Sequence, residues 1–168
     1  MRKIVLLAML ATALIGAVQA QVPSETARDP NFAAFLAQWE AAQARFINGD
    51  PTSWKQNASH GQDVTIFGAF GGSEKGWNEV GRRNDWASAQ FKESGANQKI
   101  EYLNTGASRD LAFTVSIERQ VAQIAGQPNS TRRALRVTQV FRKEDGVWKL
   151  LHRHADPLVE RLPPSERR

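Results

Sequence analysis

The spacing of apolar residues changes along the chain and divides it into a helical part and a strand-rich part. Before Gly49 the apolar residues recur every three or four positions, which is the period of one face of an α-helix. These residues are Phe32, Phe35, Leu36, Trp39, Ala42 and Phe46. Asp29-Pro30 supplies an N-cap followed by a proline at the first helical position. A first helix is therefore expected to begin at Pro30 and to end at Gly49, with its aromatic stripe in the core.

Two more helices and a short strand are predicted before the spacing changes. Asp50-Pro51 repeats the cap-and-proline signal and opens a short helix containing Trp54. Asp63–Phe67 has the composition of a strand, and Trp77–Phe91 has the period of a third helix. The glycine-rich segment Gly68–Gly76 between them lacks the Gly-Lys-Ser/Thr of a phosphate loop. We expect it to be a mobile connection near the mouth of a cavity.

From Lys99 onward apolar and polar residues alternate, as in strands with one buried face. Lys99–Thr105 and Asp110–Ile124 are predicted strands, and the second is long enough to need a bend or a bulge. Gly126–Asn129 forms the next turn. The segment that follows, Arg132–Asp156, holds two β-rich runs joined at Glu144-Asp145-Gly146, which is a strong hairpin signal.

The turn type of this hairpin decides which side chains share a face. A two-residue Asp-Gly turn pairs Glu144 with Val147. It then groups Val137, Gln139, Phe141, Leu150, His152 and His154. A type I turn with Gly146 as a G1 bulge shifts the pairing by one residue. It then groups Arg136, Thr138, Val140, Trp148, Leu150, His152 and His154. We favour the second register because it gathers the polar side chains in one patch, and we expect that patch to face the cavity.

Helices followed by antiparallel strands indicate an α+β fold, with one curved sheet wrapped over the helices around a conical cavity. The pattern places a single domain at residues 30–158, after a loose leader at 21–29 and before a C-terminal tail at 159–168. Residues 1–20 have the charged start, apolar run and small terminal residues of a signal peptide. The alternative for this segment is an uncleaved membrane anchor, although it is short for a membrane span.

Composition narrows the expected location and partners. The chain has no cysteine, which excludes a disulfide framework and a thiolate site. With the signal peptide, this favours a periplasmic or secreted protein that has no membrane contact after cleavage. Cleavage lowers the formal charge from +5 to +3, because residues 1–20 carry two basic and no acidic side chains. That charge is too small to indicate a nucleic-acid partner.

The segment Asp145-Gly146-x-Trp148-Lys149-x-x-His152-x-His154 resembles the C-terminal signature of SnoaL-like (DUF4440) proteins in the NTF2-like superfamily. It is also similar to the association domain of calcium/calmodulin-dependent kinase II. Residues 63–72, Gly76-Trp77 and 110–112 resemble the same family. The resemblance implies a cone-shaped α+β barrel that commonly dimerises through the outer face of its sheet. Ketosteroid isomerase-type members use a pocket tyrosine and acids, and this chain offers only Tyr102, so none of those roles is transferred.

The favoured register gives a set of candidate site residues. His154 is the candidate acid/base and Asp156 the residue that orients it, because a histidine can exchange protons near neutral pH. Arg136 is the candidate anchor for a carboxylate and is expected to pair with Glu118. The other candidate ligand-binding residues are Thr138, His152, His60 and Trp86. Each could instead be structural: a hydrogen-bonded histidine, a satisfied ion pair or a packed tryptophan.

Two functions follow from these candidates. The first is a pocket for a small apolar or carboxylate-bearing ligand, in which acid/base catalysis is possible. The second is a non-catalytic module for oligomerisation or ligand storage. No nucleotide motif indicates a cofactor. The histidines lack the close third ligand that a metal site would need.

Overall fold

The computed structural model describes residues 30–91 and 96–160. The helices are α1 (Pro30–Phe46), α2 (Thr52–Gln56) and α3 (Trp77–Ser88). The strands are β1 (Thr65–Phe67), β2 (Glu74–Lys75), β3 (Asn97–Ala107), β4 (Leu111–Ala122), β5 (Thr131–Glu144) and β6 (Val147–Pro157). The predicted signal peptide and leader lie outside these ranges, as does most of the predicted tail. No helix in the described ranges is long and apolar enough to cross a membrane.

The six strands form one sheet in the order β2-β1-β6-β5-β4-β3. Every neighbouring pair is antiparallel except β1 and β6, which run parallel. The predicted α+β class is confirmed. The parallel pair was not predicted, because β1 and β6 lie at opposite ends of the domain and only tertiary packing brings them together.

The sheet packs against α1 through aromatic side chains. Phe35 and Trp39 lie 5.4 and 5.8 Å from Phe141 of β5, measured between ring centroids. Phe32 lies 5.2 Å from Trp148 of β6. The predicted stripe on the first helix therefore forms the core. We call the sheet face that meets α1 the inner face and the opposite one the outer face.

The hairpin between β5 and β6 differs from the favoured register. Asp145 and Gly146 both have positive φ, 48° and 82°, as the two central residues of a type I′ turn require. Glu144 pairs with Val147. The register with a type I turn and a G1 bulge is therefore wrong at the turn.

A bulge farther along β6 reverses the faces of the sheet on which the following side chains lie. Phe141 pairs with Leu150, whereas the next residue back, Val140, pairs with His152. Leu151 is therefore an extra residue in β6, and side chains beyond it swap faces. A second bulge shifts the pairing between Tyr102 and Asn104 in β3. The long strand β4, for which a bend or bulge was predicted, pairs without a shift with β5.

Candidate ligand-binding site

A cavity lies between the inner face of the sheet and the three helices. It contains about 540 Å³ not filled by atoms, open solvent at its mouth included. Its apolar lining consists of Phe46, Ile47, Trp54, Ile66, Gly68, Ala69, Phe70, Ala87, Phe91 and Leu135. Its polar lining consists of Gln43, Arg83, Asn84, Gln120, Arg133 and Arg153. The walls are therefore apolar apart from amides and arginines, as in pockets for small molecules.

Arg153 is fixed on the cavity wall by a buried carboxylate. Its Nη1 and Nη2 donate to Oε1 and Oε2 of Glu118 at 2.8 and 2.7 Å. Glu118 also accepts from Gln43 (3.3 Å) and Gln98 (2.9 Å). With its amide oriented to satisfy both sides, Gln139 accepts from Arg153 at 2.8 Å. The charge of Arg153 is thus neutralised inside the protein by Glu118.

Arg133 lies on the same cavity wall, but no carboxylate among the described residues neutralises its charge as Glu118 neutralises that of Arg153. Its guanidinium carbon is 4.6 Å from the centroid of the Phe70 ring, a cation–π distance. No described residue forms an ion pair with it. Burial alone lowers the pKa of Arg133, because a partly desolvated cation is disfavoured when no anion compensates it. Among the described residues of the cavity, Arg133 is therefore a cation with unused capacity to bind an anion.

Aromatic rings and Arg83 form the mouth of the cavity. Phe70 packs edge-on against Trp86 at 5.8 Å and lies 5.8 Å from Phe91. Arg83 stacks on Trp86 at 4.5 Å and donates to the carbonyl of Gly71. These contacts hold the glycine-rich segment against α3. Gly68, Ala69 and Phe70 of this segment line the cavity, so the segment lies beside a cavity as predicted.

Most of the predicted site residues lie away from this cavity, on the outer face. His152 contacts Thr65, with 2.8 Å between Nδ1 and Oγ1, and His154 Nε2 is 3.0 Å from Asp156 Oδ2. Phe67 lies edge-on to both histidine rings at 5.2 and 5.3 Å. The predicted placement of these histidines in the cavity is wrong, because the Leu151 bulge turns them outward.

Two more predicted residues of β5 lie on the same outer face. Arg136 is cross-strand from Asp156 and Thr138 is cross-strand from His154. Arg136 Nη2 is 3.7 Å from Asp156 Oδ2, with both side chains about half exposed. The predicted pairing of Arg136 with Glu118 is therefore wrong, and Arg153 takes that place.

The remaining predicted residues are dispersed. Glu118 is on the inner face but is covered by its partners, so it does not line the cavity. His60 is exposed and stacks on Trp77, with 3.7 Å between the ring centroids. Trp86 is exposed at the mouth. Of the eight predicted site residues, Trp86 and Glu118 contact side chains of the cavity lining: Trp86 through Phe70 and Arg83, and Glu118 through Gln43 and Arg153.

Sequence reasoning missed the polar lining itself. Neither Gln43, a polar residue at the margin of the helical stripe, nor Arg133, at the start of a β-rich run, was among the predicted site residues. A polar residue inside an apolar stripe was a usable signal for Gln43. Arg153 gave none, because only the bulge at Leu151 turns it toward the cavity.

A metal site or a proton-transfer group in the cavity would need side chains of particular types. Within the described part of the chain no three histidine or acidic side chains come close enough to hold a metal. The lining residues described here include no histidine, carboxylate, tyrosine, lysine or hydroxyl side chain. What the arrangement can do chemically is bind an apolar body and an anion.

Comparison with known proteins identifies the family. A family model described as a SnoaL-like domain matches residues 57–160. A search of curated proteins finds no match. Among solved structures, an NTF2-like superfamily protein from Salmonella enterica has a TM-score of 0.68 at 14% identity, covering 82% of this chain and 96% of its own.

Two further structures show the same fold. A candidate dehydratase of the NTF2-like family from Streptomyces avermitilis has a TM-score of 0.62 at 18% identity, covering 78% of this chain and 96% of its own. A candidate calcium/calmodulin-dependent protein kinase II association domain from Xanthomonas campestris has a TM-score of 0.62 at 17% identity, covering 77% and 87%. Identities this low speak for the fold alone. The solved structures show that the fold is NTF2-like, and the family match over residues 57–160 shows that the chain belongs to the SnoaL-like domain family.

Proposed function

We propose that this protein binds a small carboxylate with an apolar body in the cavity between the helices and the sheet. The observation that carries the proposal is Arg133, a partly buried cation on the cavity wall with no ion pair to any described residue. A carboxylate would offset the desolvation of its guanidinium through two hydrogen bonds. The aromatic and aliphatic lining would hold the rest of the molecule.

Reversible binding accounts for the lining better than catalysis does. A general acid or base must lie within hydrogen-bond reach of the substrate. In the described lining, Arg153 is paired with Glu118, and the remaining polar groups are amides and arginines rather than carboxyl, imidazole, amine or phenol groups. The candidate acid/base His154 lies on the other side of the sheet. The cavity therefore supports a storage or carrier role.

The test is a binding titration with simple carboxylates and a variant that fills the cavity. Wild type is titrated with benzoate, phenylacetate and hexanoate by calorimetry, with benzyl alcohol as the uncharged comparison. Ala87→Leu adds three carbons to a lining residue, and Ala89→Leu adds them to an exposed position two residues later. We expect at least one carboxylate to bind wild type and Ala89→Leu but not Ala87→Leu. Failure of all three carboxylates, or unchanged binding by Ala87→Leu, contradicts the proposal.

We also propose that the outer face pairs two copies of the chain. Phe67 and Phe113 are 41% and 40% exposed, and both lie on this face, where Phe113 is cross-strand from Val140. Exposed aromatic side chains on one sheet face favour association with another surface. The same face carries the cluster of His152, His154 and Asp156, which would then lie at the interface between the copies.

Export is the third part of the proposal. It is supported by the signal-like pattern of residues 1–20 and by the lack of cysteine. Expression of the full chain in a bacterium, followed by fractionation and intact mass, tests it. We expect a periplasmic product that begins at Gln21. A cytoplasmic product that keeps residues 1–20 contradicts it.

A further inference from the structure

We propose that the ligand carries a hydroxyl or N–H group beside its carboxylate, because Gln120 offers a buried, unpartnered acceptor next to Arg133. This inference rests on the proposed carboxylate-binding function and makes it more specific. It names the ligand class as a small apolar hydroxy acid or its N–H equivalent.

Gln120 lies on the cavity wall and is only 5% exposed. Its Oε1 atom is buried and receives no hydrogen bond from the described part of the chain. The neighbouring amide on β3, Gln98, is paired cross-strand with Gln120 but donates to Glu118 at 2.9 Å instead. A buried amide oxygen without a donor is unfavourable. A donor arriving with the ligand would satisfy it.

Gln120 and Arg133 are direct cross-strand partners in β4 and β5. Such partners project from the same face with their Cβ atoms about 5 Å apart. An acceptor and a cation therefore stand side by side at one end of an apolar cavity. The complementary ligand has a negatively charged acceptor and a neutral donor at the same end, and an apolar remainder.

The charges around this pair favour a neutral donor over an ammonium group. Arg133, Arg153 and Arg83 all line the cavity. The two described carboxylates that contact these arginines, Glu118 and Glu74, are paired with Arg153 and Arg83. An ammonium beside Arg133 would add a further positive charge to a wall that already carries three arginines, which is unfavourable. A hydroxyl or an amide N–H carries no such penalty.

The experiment compares affinities for probes that differ by one hydroxyl group. Benzoate, the three hydroxybenzoate isomers and 4-hydroxybenzyl alcohol are titrated into the mature protein by calorimetry. We expect one hydroxybenzoate isomer to bind about tenfold more tightly than benzoate, the ratio for one hydrogen bond of ordinary net strength. Gln120→Met should remove this preference and keep benzoate binding. Arg133→Gln should weaken all carboxylates, whereas Arg136→Gln, on the outer face of the same strand, should behave as wild type.

The outcomes separate the two proposals. If benzoate binds wild type and no hydroxybenzoate binds more tightly, the inference about Gln120 is overturned while the carboxylate-binding function stands. The inference is overturned in the same way if Gln120→Met folds and keeps the hydroxyl preference. If none of the carboxylates binds, the proposed carboxylate-binding function is contradicted, and the inference that rests on it is overturned as well. The wild-type comparison needs no variant, so it tests the inference even if Gln120→Met does not fold.

Discussion

Arg153 and Glu118 face each other across an intervening strand. Glu118 belongs to β4 and Arg153 to β6, and β5 runs between them. Their side chains meet over the inner face through two hydrogen bonds of 2.8 and 2.7 Å. The side chains of Glu118 and Arg153 are 1% and 9% exposed. The pair links the two strands on either side of β5, and its Arg153 lines the cavity.

Glu118→Gln should destabilise the protein by about 3–5 kcal/mol, because it leaves the guanidinium of Arg153 buried without a counter-charge. Urea denaturation followed by circular dichroism measures the loss. Glu101→Gln is the matched control, since it breaks an exposed ion pair with Arg119 that is worth no more than about 1 kcal/mol. Equal losses for the two variants would show that the buried pair contributes no more than a surface pair.

The turn between β5 and β6 provides a second prediction. Asp145 has a φ of 48°, a conformation that Asn tolerates and a β-branched residue does not. Asp145→Val should therefore cost about 1–2 kcal/mol, while Asp145→Asn should keep wild-type stability. Both values are read from thermal or urea unfolding. If the two variants are equally stable, residue 145 does not hold the left-handed conformation in solution.

The same hairpin shows how far the sequence could predict this structure. Alternation and the Asp-Gly dipeptide identified both strands and their connection correctly. The choice of face depended on the turn type and on one extra residue at Leu151. Leu151 carries no local signal for a bulge, because the segment reads as a continuous strand. The helical stripe of α1 needed no such choice, so its core role was predicted correctly.

The candidate site was harder to predict than the fold for the same physical reason. One extra residue in β6 exchanges Arg153 for His152 and His154 on the inner face. The roles assigned to Arg136, Thr138 and Asp156 moved to the outer face with those histidines. The cavity residues Gln120 and Arg133 come from strands that are correctly placed in the sequence. Their role in the site depends on which buried polar groups have a hydrogen-bond or ion-pair partner, and that is decided by the packing of the folded chain.

The free energy of unfolding should decrease as the pH falls below about 6.5, because of His152. Burial, and then the charge of His154, lowers the pKa of His152 from 6.5. The unfolded chain binds a proton near pH 6.5, whereas the folded protein keeps this ring neutral to a lower pH. Protonation therefore favours unfolding between the lowered pKa and 6.5, and the effect is absent above 6.5.

His152→Gln should flatten this part of the curve of unfolding free energy against pH. His154→Gln removes only the contribution of the His154 charge and leaves that of burial, so the slope should become smaller but should not disappear. The measurement is urea denaturation at half-unit steps from pH 5 to 8. A slope in this window that is the same in wild type and His152→Gln would assign the pH dependence to other groups.

The outer face yields the last prediction, on assembly. Phe113 is 40% exposed and lies in β4 with Val115 and Ile117 on the same side. A glutamate at this position would place a charge in the proposed interface, where desolvation makes it costly. Sedimentation velocity of the mature chain should give a dimer for wild type and a monomer for Phe113→Glu.

Leu158→Glu is the control, because Leu158 is similarly exposed, at 43%, but follows the end of β6. A monomeric wild type, or a Phe113→Glu variant that remains dimeric, would exclude this face as the interface.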